Sequence, residues 1–517
     1  MRVELGFALR LAWIPLAFLL GVRGLHAVRD FGQPTELLHI STVPACLAQE
    51  VTRHRPVYRS FDAPPYYLAL YGPLLYYIPG WINRSLEWGG TDLVMLGRGI
   101  SLGALGVGVV VLARLMRRWG HASASLTALM TGMFLASGVL WPICLSFRPD
   151  AAEFMFVALA GAALLRWERS ALRLLAIPLL LAAFLYKQSA VSALAGFAAY
   201  LWLRGRRGAA VGFVVTGAGV FTAVGAAVNA ATGGAYVLNC FTALDANVTV
   251  SNLWTIWNPE TAASVGGPFV LAAMRMMRRG RRRAELPAVL AVVGIAAGCA
   301  ASVRDGAGVN YFVQPLGWAC VCAARELGSR MRLSRVRSET GRAAPRPSSA
   351  AFIAGCAVAA SLVLPTAAHA ADLPLQLRLV DRRGEIQRDQ QTLLHNVSTL
   401  LNRLEGPVIS ELGALGLYLD EPYMLDLLTF TGLADQGVFD DRRLMSDIRE
   451  GRVAAVVLEF DLERDGVPYY QSTARVRSAW LEVLRQAGYV HLEAGWLHLY
   501  IRPDAYEALR KTSGPPG

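Results

Sequence analysis

The sequence predicts an all-α polytopic membrane domain followed by a small α/β domain. Hydrophobic residues make up 54% of the 517 positions and charged residues only 17%, with a mean hydropathy of +0.38. Repeated apolar runs of about 18 or more residues indicate transmembrane helices. Arginines occur in short clusters between these runs, as cytoplasmic loops require. This arrangement explains the net charge of +12 better than nucleic-acid binding does, so we expect no nucleic-acid partner.

About eleven spans follow when the arginine clusters are placed in the cytoplasm. The first span runs outward to Val28, and residues 29–97 then form an outer loop. The loop has a Pro- and Tyr-rich part, Tyr66–Ile82, that predicts short helices lying in the membrane interface. Span two begins at Arg98, span four begins at Arg148-Pro149-Asp150, and span eleven covers Ala350 to about Ala367.

Two later regions are harder to divide into transmembrane spans. Residues 172–203 are short for two spans, since each ideally needs about 20 residues. A single long span would reverse the side of every later arginine cluster. We therefore prefer a tight hairpin with Lys187 at its outer tip, and a single span remains the alternative. Span ten begins near Asn310. The basic, Pro- and Ser-rich residues 325–346 that follow it are expected to be too polar to pack.

Residues from about 372 onward have more charge and a different pattern. Helical periodicity appears in residues 386–404, and Val453–Phe460 predicts a buried strand. Residues 479–487 predict a helix and residues 496–501 a closing strand. We therefore expect residues 1–371 to form the transmembrane domain and residues 372–517 to form an α/β domain outside the cytoplasm.

Ionisable residues collect at the outer ends of the predicted spans. Charges at that level are costly unless they are paired, hydrated or used, so a recurring set predicts a site. Each residue alone also has a simpler explanation: Arg148-Pro149-Asp150 can be a helix start, and Lys187 can be a snorkelling anchor. The set comprises Asp30, Glu36, Arg98, Arg148, Asp150, Lys187, Arg304 and Asp305.

A site with carboxylates and several cations suits transfer of a group away from a phosphate. A carboxylate can take the proton of an acceptor hydroxyl as the hydroxyl attacks. Arginine and lysine can hold the phosphate and stabilise its charge as it leaves. The seven cysteines and the residues His26, His39 and His54 fit no standard metal-ligand spacing, so we expect neither a metal nor a cofactor.

A series of short motifs runs in order along nearly the whole chain. The motifs are Asp30-Phe-Gly, PPYYLALYGPLLYY (Pro64–Tyr77), GRGIS (Gly97–Ser101), FRPD (Phe147–Asp150), YKQS (Tyr186–Ser189) and GVNYF (Gly308–Phe312). The series resembles bacterial polytopic glycosyltransferases of the GT-C fold, whose relatives include the protein O-mannosyltransferases and the aminoarabinose transferase. Each motif is short, so the specificity of the resemblance comes from the series.

The resemblance implies a multi-pass enzyme of the bacterial inner membrane. Its donor would be a polyprenyl-phosphate-linked sugar, and its acceptor an unknown glycan, lipid or protein hydroxyl on the periplasmic side, with inversion at the sugar. Asp30 would be the general base. Gln33-Pro34 stand where an acidic residue is often found, so Glu36 is the candidate second carboxylate. The other expected site residues are Arg148, Lys187, Arg98 and Arg304 around the donor phosphate, and Asp150, Tyr71, Asn310 and Tyr311 around the substrate.

Two other functions remain open from the residues. A lipid or small-molecule transporter or flippase would place ionisable residues near helix midpoints and repeat its helices in two halves. The chain keeps most of its charge at span ends and has no visible two-half symmetry, which favours the transferase. A non-catalytic membrane assembly protein, whose outer domain binds a partner, is the third alternative.

Overall fold

The computed structural model describes most of the chain and is mostly helical, with a small sheet near the C-terminus. This agrees with the predicted fold class. The described residues are 11–31, 42–140, 146–244, 250–279, 284–304, 308–339, 389–424, 426–462, 464, 469–470 and 473–512.

Helices form the N-terminal part of the fold, and their buried apolar side chains make one continuous cluster. Short 3-10 turns at Ala171–Leu175, Gln188–Ala190, Thr242–Leu244 and Val309–Phe312 separate some of them. The helices are α1 (Trp13–Phe31), α2 (Thr42–Thr52), α3 (Leu74–Leu86), α4 (Gly90–Arg118), α5 (Ala124–Ala136), α6 (Asp150–Trp167), α7 (Ala176–Tyr186), α8 (Val191–Leu203), α9 (Arg207–Ala231), α10 (Ala235–Cys240), α11 (Val250–Ile256), α12 (Pro259–Arg279), α13 (Leu286–Ser302) and α14 (Val313–Glu339).

Of the short helices expected in residues 66–82, the structure has one, α3, which begins at Leu74. Residues 66–73 are not helical, and the other short helix of the predicted outer loop, α2, lies earlier. The predicted end of this loop at residue 97 is wrong, because α4 begins at Gly90 rather than at Arg98. The Asp92 carboxylate accepts a hydrogen bond of 3.1 Å from the Gly89 backbone N–H and so caps the first turn. Arg98 is fully buried within the helix and does not mark its border.

The helix that precedes Lys187 ends there, as the hairpin prediction requires. Lys187 has an extended backbone (φ −152°, ψ 130°), and α8 starts after one 3-10 turn. Among the described residues, only α4 and α9 are long and apolar enough to cross a membrane by length and composition, while others, such as α5 and α13, are shorter apolar helices. The count of eleven spans therefore stays a prediction, and span eleven (350–367) lies outside the described residues.

The predicted unpacked character of residues 325–346 is wrong over the described part, because α14 continues to Glu339. The Arg325 guanidinium lies 3.7 Å from the centroid of the Trp119 ring, and its Nε lies 3.5 Å from a Glu285 carboxylate oxygen. A guanidinium with both an aromatic face and a carboxylate partner is a packed group, despite its charge.

A buried ionic group joins three helical segments near the same end of α14. Arg275 of α12 is almost fully buried and hydrogen-bonds to Glu285, which directly precedes α13, and to Glu326 of α14. Since removing one partner of such a group leaves a buried charge uncompensated, Arg275 fixes how these helices pack.

A five-stranded mixed sheet with order β2-β1-β3-β7-β6 forms the core of the C-terminal region. Its β1 strand pairs in parallel with β2 and β3, whereas β7 pairs in antiparallel fashion with β3 and β6. Three predicted elements, the strand at 453–460, the helix at 479–487 and the strand at 496–501, are confirmed. The strands are β1 (Val408–Ser410), β2 (Pro422–Met424), β3 (Ala455–Leu458), β4 (Tyr469–Tyr470), β5 (Thr473–Ala474), β6 (Val490–Ala494) and β7 (Leu497–Ile501).

Helices flank this sheet, and residues 389–401 confirm most of the predicted N-terminal one. The predicted domain boundary at residue 372 lies outside the described residues. The remaining helices are α15 (389–401), α16 (Gly413–Gly416), α17 (Leu427–Asp435), α18 (Arg442–Arg449), α19 (Ser478–Gln486) and α20 (Pro503–Thr512).

The Tyr-rich segment, residues 56–72, packs against the C-terminal region. Phe61 and Tyr66 belong to the same apolar cluster as Phe430 and other residues around the sheet. The Tyr66 hydroxyl donates a hydrogen bond of 3.2 Å to Asp447. Burial, together with the Asp447 carboxylate, raises the pKa of Tyr66, so the hydroxyl stays protonated and keeps donating.

Candidate functional site

Asp150 lies at the centre of a buried polar cluster. It is the first residue of α6, after Pro149 at the N-cap, which confirms the predicted helix start. Its Oδ1 accepts hydrogen bonds from Lys187 Nζ at 2.6 Å and from Asn310 Nδ2 at 2.8 Å. Three distant parts of the chain thus meet at one carboxylate, whose negative charge also suits the positive end of the helix dipole.

Arg148 supplies the second cation of the cluster. Its Nε lies 3.4 Å from Asp150 Oδ2, and neither atom makes a hydrogen bond within the described part of the chain. The Tyr71 hydroxyl lies beside the guanidinium. The Arg148 side chain is 13% exposed, against 6% for Lys187 and 2% for Asp150. Arg148 is therefore the most exposed of these three charged groups.

Lys187 reaches the cluster because α7 ends at the residue before it. Its ammonium lies over the Tyr311 ring, 4.5 Å from the centroid, as well as against Asp150. The side chain of Gln188 donates to the Leu70 carbonyl at 3.1 Å and so links the end of α7 to the Tyr-rich segment. Lys187 is one of only two lysines in the chain, the other being Lys511.

Hydrogen bonds to its backbone atoms hold Tyr71 in place. The Tyr58 hydroxyl donates to the Tyr71 carbonyl at 2.6 Å, and the Tyr71 N–H donates to the Tyr76 hydroxyl at 3.0 Å. The next residue, Gly72, donates its N–H to the Tyr186 carbonyl at 3.1 Å. These bonds fix Tyr71 directly beside the end of α7, where Lys187 begins.

Glu153 belongs to the same cluster and was missed by the sequence analysis. It lies one turn after Asp150 in α6, is 3% exposed, and accepts a hydrogen bond of 2.7 Å from Ser189 Oγ. Gln314 lies beside it as well, and Lys187 is close enough to attract it. The signal was present, because residues three apart share one helix face and an acid inside an apolar helix is unusual.

A cleft beside Arg148 is almost entirely apolar. Ser101 also lies on it and donates its hydroxyl to the Arg148 carbonyl at 3.3 Å. The cleft joins α3, α4 and the ends of α6 and α7 next to the polar cluster. Its lining residues are Leu75, Pro79, Gly97, Ile100, Ser101, Phe147, Arg148, Ala152 and Tyr186.

The remaining predicted site residues occupy other positions. Asp30 is in the last turn of α1, and its side chain lies outside the described part, as do Glu36 and Asp305. Arg98 is fully buried in α4, one turn before Ser101. Arg304 is exposed just beyond α13. The structure therefore brings together six predicted residues: Tyr71, Arg148, Asp150, Lys187, Asn310 and Tyr311.

Comparison with known proteins gives a match in structure only. No family model matches the chain, and no curated protein matches its sequence. Two crystal structures of ArnT from Cupriavidus metallidurans, one in the apo state and one bound to undecaprenyl phosphate, superpose with a TM-score of 0.56 each. Each match covers 98% of this chain and 99% of that chain at 14% sequence identity.

The chain has the ArnT fold. The resemblance to the GT-C glycosyltransferases, drawn from the motif series, is thereby confirmed at the level of fold. Because the match to ArnT covers 98% of the chain, it includes the C-terminal sheet as well as the helices. At 14% identity the likeness fixes the architecture, and the roles of individual residues are argued from their own geometry.

Proposed function

We propose that the chain is a membrane glycosyltransferase that moves a sugar from a polyprenyl-phosphate carrier to an acceptor hydroxyl. The observation that carries this proposal is the buried pair of cations, Arg148 and Lys187, held around Asp150 beside a narrow apolar cleft. A polyprenyl phosphate has an anionic head and an apolar chain. The two cations suit the head, and the apolar residues next to Arg148 suit the part of the chain nearest to it. The ArnT structure bound to undecaprenyl phosphate supports the same class of ligand.

The polar cluster suits a phosphate because its two cations have donors to spare. Arg148 Nε is a buried donor with no hydrogen-bond acceptor in the described part, and such groups are rare unless a ligand uses them. Lys187 has three N–H donors, one of which bonds to Asp150. Both side chains can therefore donate to phosphate oxygens while Asp150 continues to hold them in place.

The proposed reaction is a single displacement with inversion at the anomeric carbon, on the periplasmic face of the bacterial inner membrane. The acceptor oxygen loses its proton to Asp30 as it bonds to the anomeric carbon. The bond from that carbon to the carrier phosphate breaks, and the phosphate leaves on its lipid with the electron pair. Arg148 and Lys187 stabilise the charge that develops on the phosphate.

Binding of undecaprenyl phosphate to the purified chain in detergent tests the phosphate assignment. Arg148→Ala and Lys187→Ala each remove a charge-assisted hydrogen bond of about 1.5–3 kcal/mol, so affinity should fall roughly 10- to 150-fold. Lys511→Ala removes the other lysine, on the exposed C-terminal helix α20, and should leave binding unchanged. Unchanged binding in both cluster variants would remove the phosphate from this place.

Transfer of radiolabelled sugars from a panel of polyprenyl-phosphate donors tests the reaction itself. Asp30→Asn cannot accept the acceptor's proton, so turnover should fall about 100- to 10,000-fold with little change in lipid affinity. Glu36→Gln is the matched control, and a milder loss leaves Asp30 as the base. Lipid binding without sugar transfer from any donor would favour the transport alternative over the transferase.

A further inference from the structure

A second group of chemically active side chains lies in the C-terminal sheet. Asp461, His491 and His498 each offer a ligand atom, and these atoms lie within 4.8 Å of one another. His491 Nε2 and His498 Nδ1 are 3.0 Å apart. The three residues are 30 and 7 positions apart in the sequence, a spacing that does not point to a metal site without the fold.

The strand register explains why the two histidines meet. In the antiparallel pair β6–β7, His491 is opposite Tyr500, and Glu493 is opposite His498. The histidines are therefore diagonal neighbours on one face of the sheet. Their ring centroids are 5.2 Å apart although two nitrogens are 3.0 Å apart, so the rings meet by their nitrogen-bearing edges. At 3.0 Å the two nitrogens are within hydrogen-bond distance of each other, and a metal ion bound by both rings would replace that hydrogen bond.

Asp461 is brought to the histidines by a fixed piece of backbone. The Tyr500 hydroxyl accepts a hydrogen bond of 3.0 Å from the Leu462 N–H, and Arg485 donates to the Leu462 carbonyl at 3.0 Å. Tyr500 also stacks on the His491 ring, with centroids 4.8 Å apart and planes at 11°. One tyrosine thus orients both the aspartate loop and one imidazole, as residues behind metal ligands commonly do.

We propose that Asp461, His491 and His498 bind a divalent first-row transition metal of the zinc type. Two imidazoles and a carboxylate are a ligand set that zinc accepts, with remaining positions for water. Zinc–nitrogen bonds of about 2.0–2.1 Å in tetrahedral geometry place two nitrogens roughly 3.4 Å apart, close to the 3.0 Å found here. The ion would clamp the loop after β3 to the β6–β7 hairpin.

Cobalt absorption tests the site on the full chain in detergent, after removal of bound metal by a chelator. Co²⁺ held by two imidazoles and a carboxylate in a four-coordinate site absorbs visible light far more strongly than the hydrated ion. We expect a saturable signal with one ion per chain, which Zn²⁺ abolishes by competition. Absence of a saturable signal in the wild-type chain would overturn the proposal without any variant.

Substitutions then assign the ligands. His491→Gln and His498→Gln should each weaken Co²⁺ binding by more than about 100-fold, the upper end of the effect of losing an outer-shell partner. His395→Gln, in the exposed face of α15, is the matched control and should bind as the wild type does. Equal binding by all three variants would overturn the assignment.

A variant that gains an absorption band distinguishes loss of a metal ligand from misfolding of the chain. His498→Cys supplies a thiolate in place of an imidazole, so bound Co²⁺ should acquire sulfur-to-metal charge-transfer absorption. Absence of that absorption in a His498→Cys chain that still binds Co²⁺ would show that residue 498 is not a ligand. Undecaprenyl phosphate binding provides the check on folding, because its cluster shares no residue with this site.

Discussion

Gly97 allows α4 to approach the turn that carries Arg148, and its replacement gives a sharp test of the site. A Cβ added at Gly97 would lie 2.2 Å from Phe147 Cγ and 2.3 Å from its Cδ1. Carbon atoms in contact prefer about 3.5–4.0 Å, so the buried Phe147 ring must move by more than about 1 Å in Gly97→Ala. Arg148 is the next residue, and it would be displaced with the ring.

The expected cost of Gly97→Ala follows from two opposing effects. Overpacking a core position costs about 1–3 kcal/mol. Replacing glycine by alanine inside a helix recovers up to about 1 kcal/mol. The free energy of unfolding should therefore fall by about 0–3 kcal/mol. A displacement of about 1 Å at Arg148 should also slow the reaction, by up to about 100-fold in the rate of sugar transfer.

Gly99→Ala is the matched control two residues along the same helix. Gly99 is exposed, and a Cβ there would have no atom within 4 Å. The variant should be as stable as the wild type or slightly more stable, with unchanged transfer. Thermal unfolding and undecaprenyl phosphate titration should be measured for both variants. If Gly97→Ala matches Gly99→Ala in stability, lipid affinity and transfer, the argument for the approach of α4 to Arg148 is wrong.

A third variant separates crowding from other effects of the substitution. Phe147→Leu removes ring atoms that the new Cβ would meet. In the double variant Gly97→Ala/Phe147→Leu, lipid affinity should therefore be closer to that of the wild type than in Gly97→Ala alone. An affinity lower than in either single variant would mean that crowding of the ring is not the cause.

Three further variants test other parts of the fold and site. Gly72→Ala should lower the yield of folded protein more than Gly97→Ala does, because its Cβ would lie 2.1 Å from the Leu185 carbonyl oxygen, a backbone atom that cannot rotate away. Asp150→Asn removes the carboxylate that both buried cations contact, so undecaprenyl phosphate should raise its melting temperature more than that of the wild type. Arg275→Met should destabilise the chain by about 3–5 kcal/mol without changing lipid affinity.

Sequence reasoning found much of the cluster because charged residues in an apolar chain are conspicuous. Arg148, Asp150 and Lys187 stand out against their neighbours, and the motif series added Tyr71 and Asn310. Glu153 was missed although it lies one turn from Asp150, because the sequence does not show the Ser189 hydroxyl that meets it from a distant part of the chain. The cleft could not be predicted, since it depends on the approach of Gly97 in α4 to Phe147, which precedes α6.

The wrong boundaries have a common cause: in an apolar sequence, a charged residue within a helix resembles the end of the helix. Arg98 is buried within α4, and Arg325 packs on Trp119 within α14. A sequence shows a charge but not the partner that compensates its burial. The short strands β1 and β2 were missed for a different reason, since each has only three residues and too little pattern to read.

The Tyr-rich segment links the C-terminal sheet to the candidate site. Near the sheet, the Tyr67 hydroxyl donates to the Pro422 carbonyl at 2.9 Å. Two residues later, the Ala69 N–H donates to Asn239 at 2.9 Å, and Tyr71 then lies beside Arg148.

This continuity has a consequence for how the chain works as a unit. Four residues separate Tyr66, which contacts Asp447 of α18, from Tyr71, which contacts the cluster, and hydrogen bonds hold the backbone between them. Loss of the contacts with the C-terminal region would release the segment that carries Tyr71 and would therefore change the candidate site itself. The C-terminal region thus acts as a support for Tyr71, and through it for Arg148.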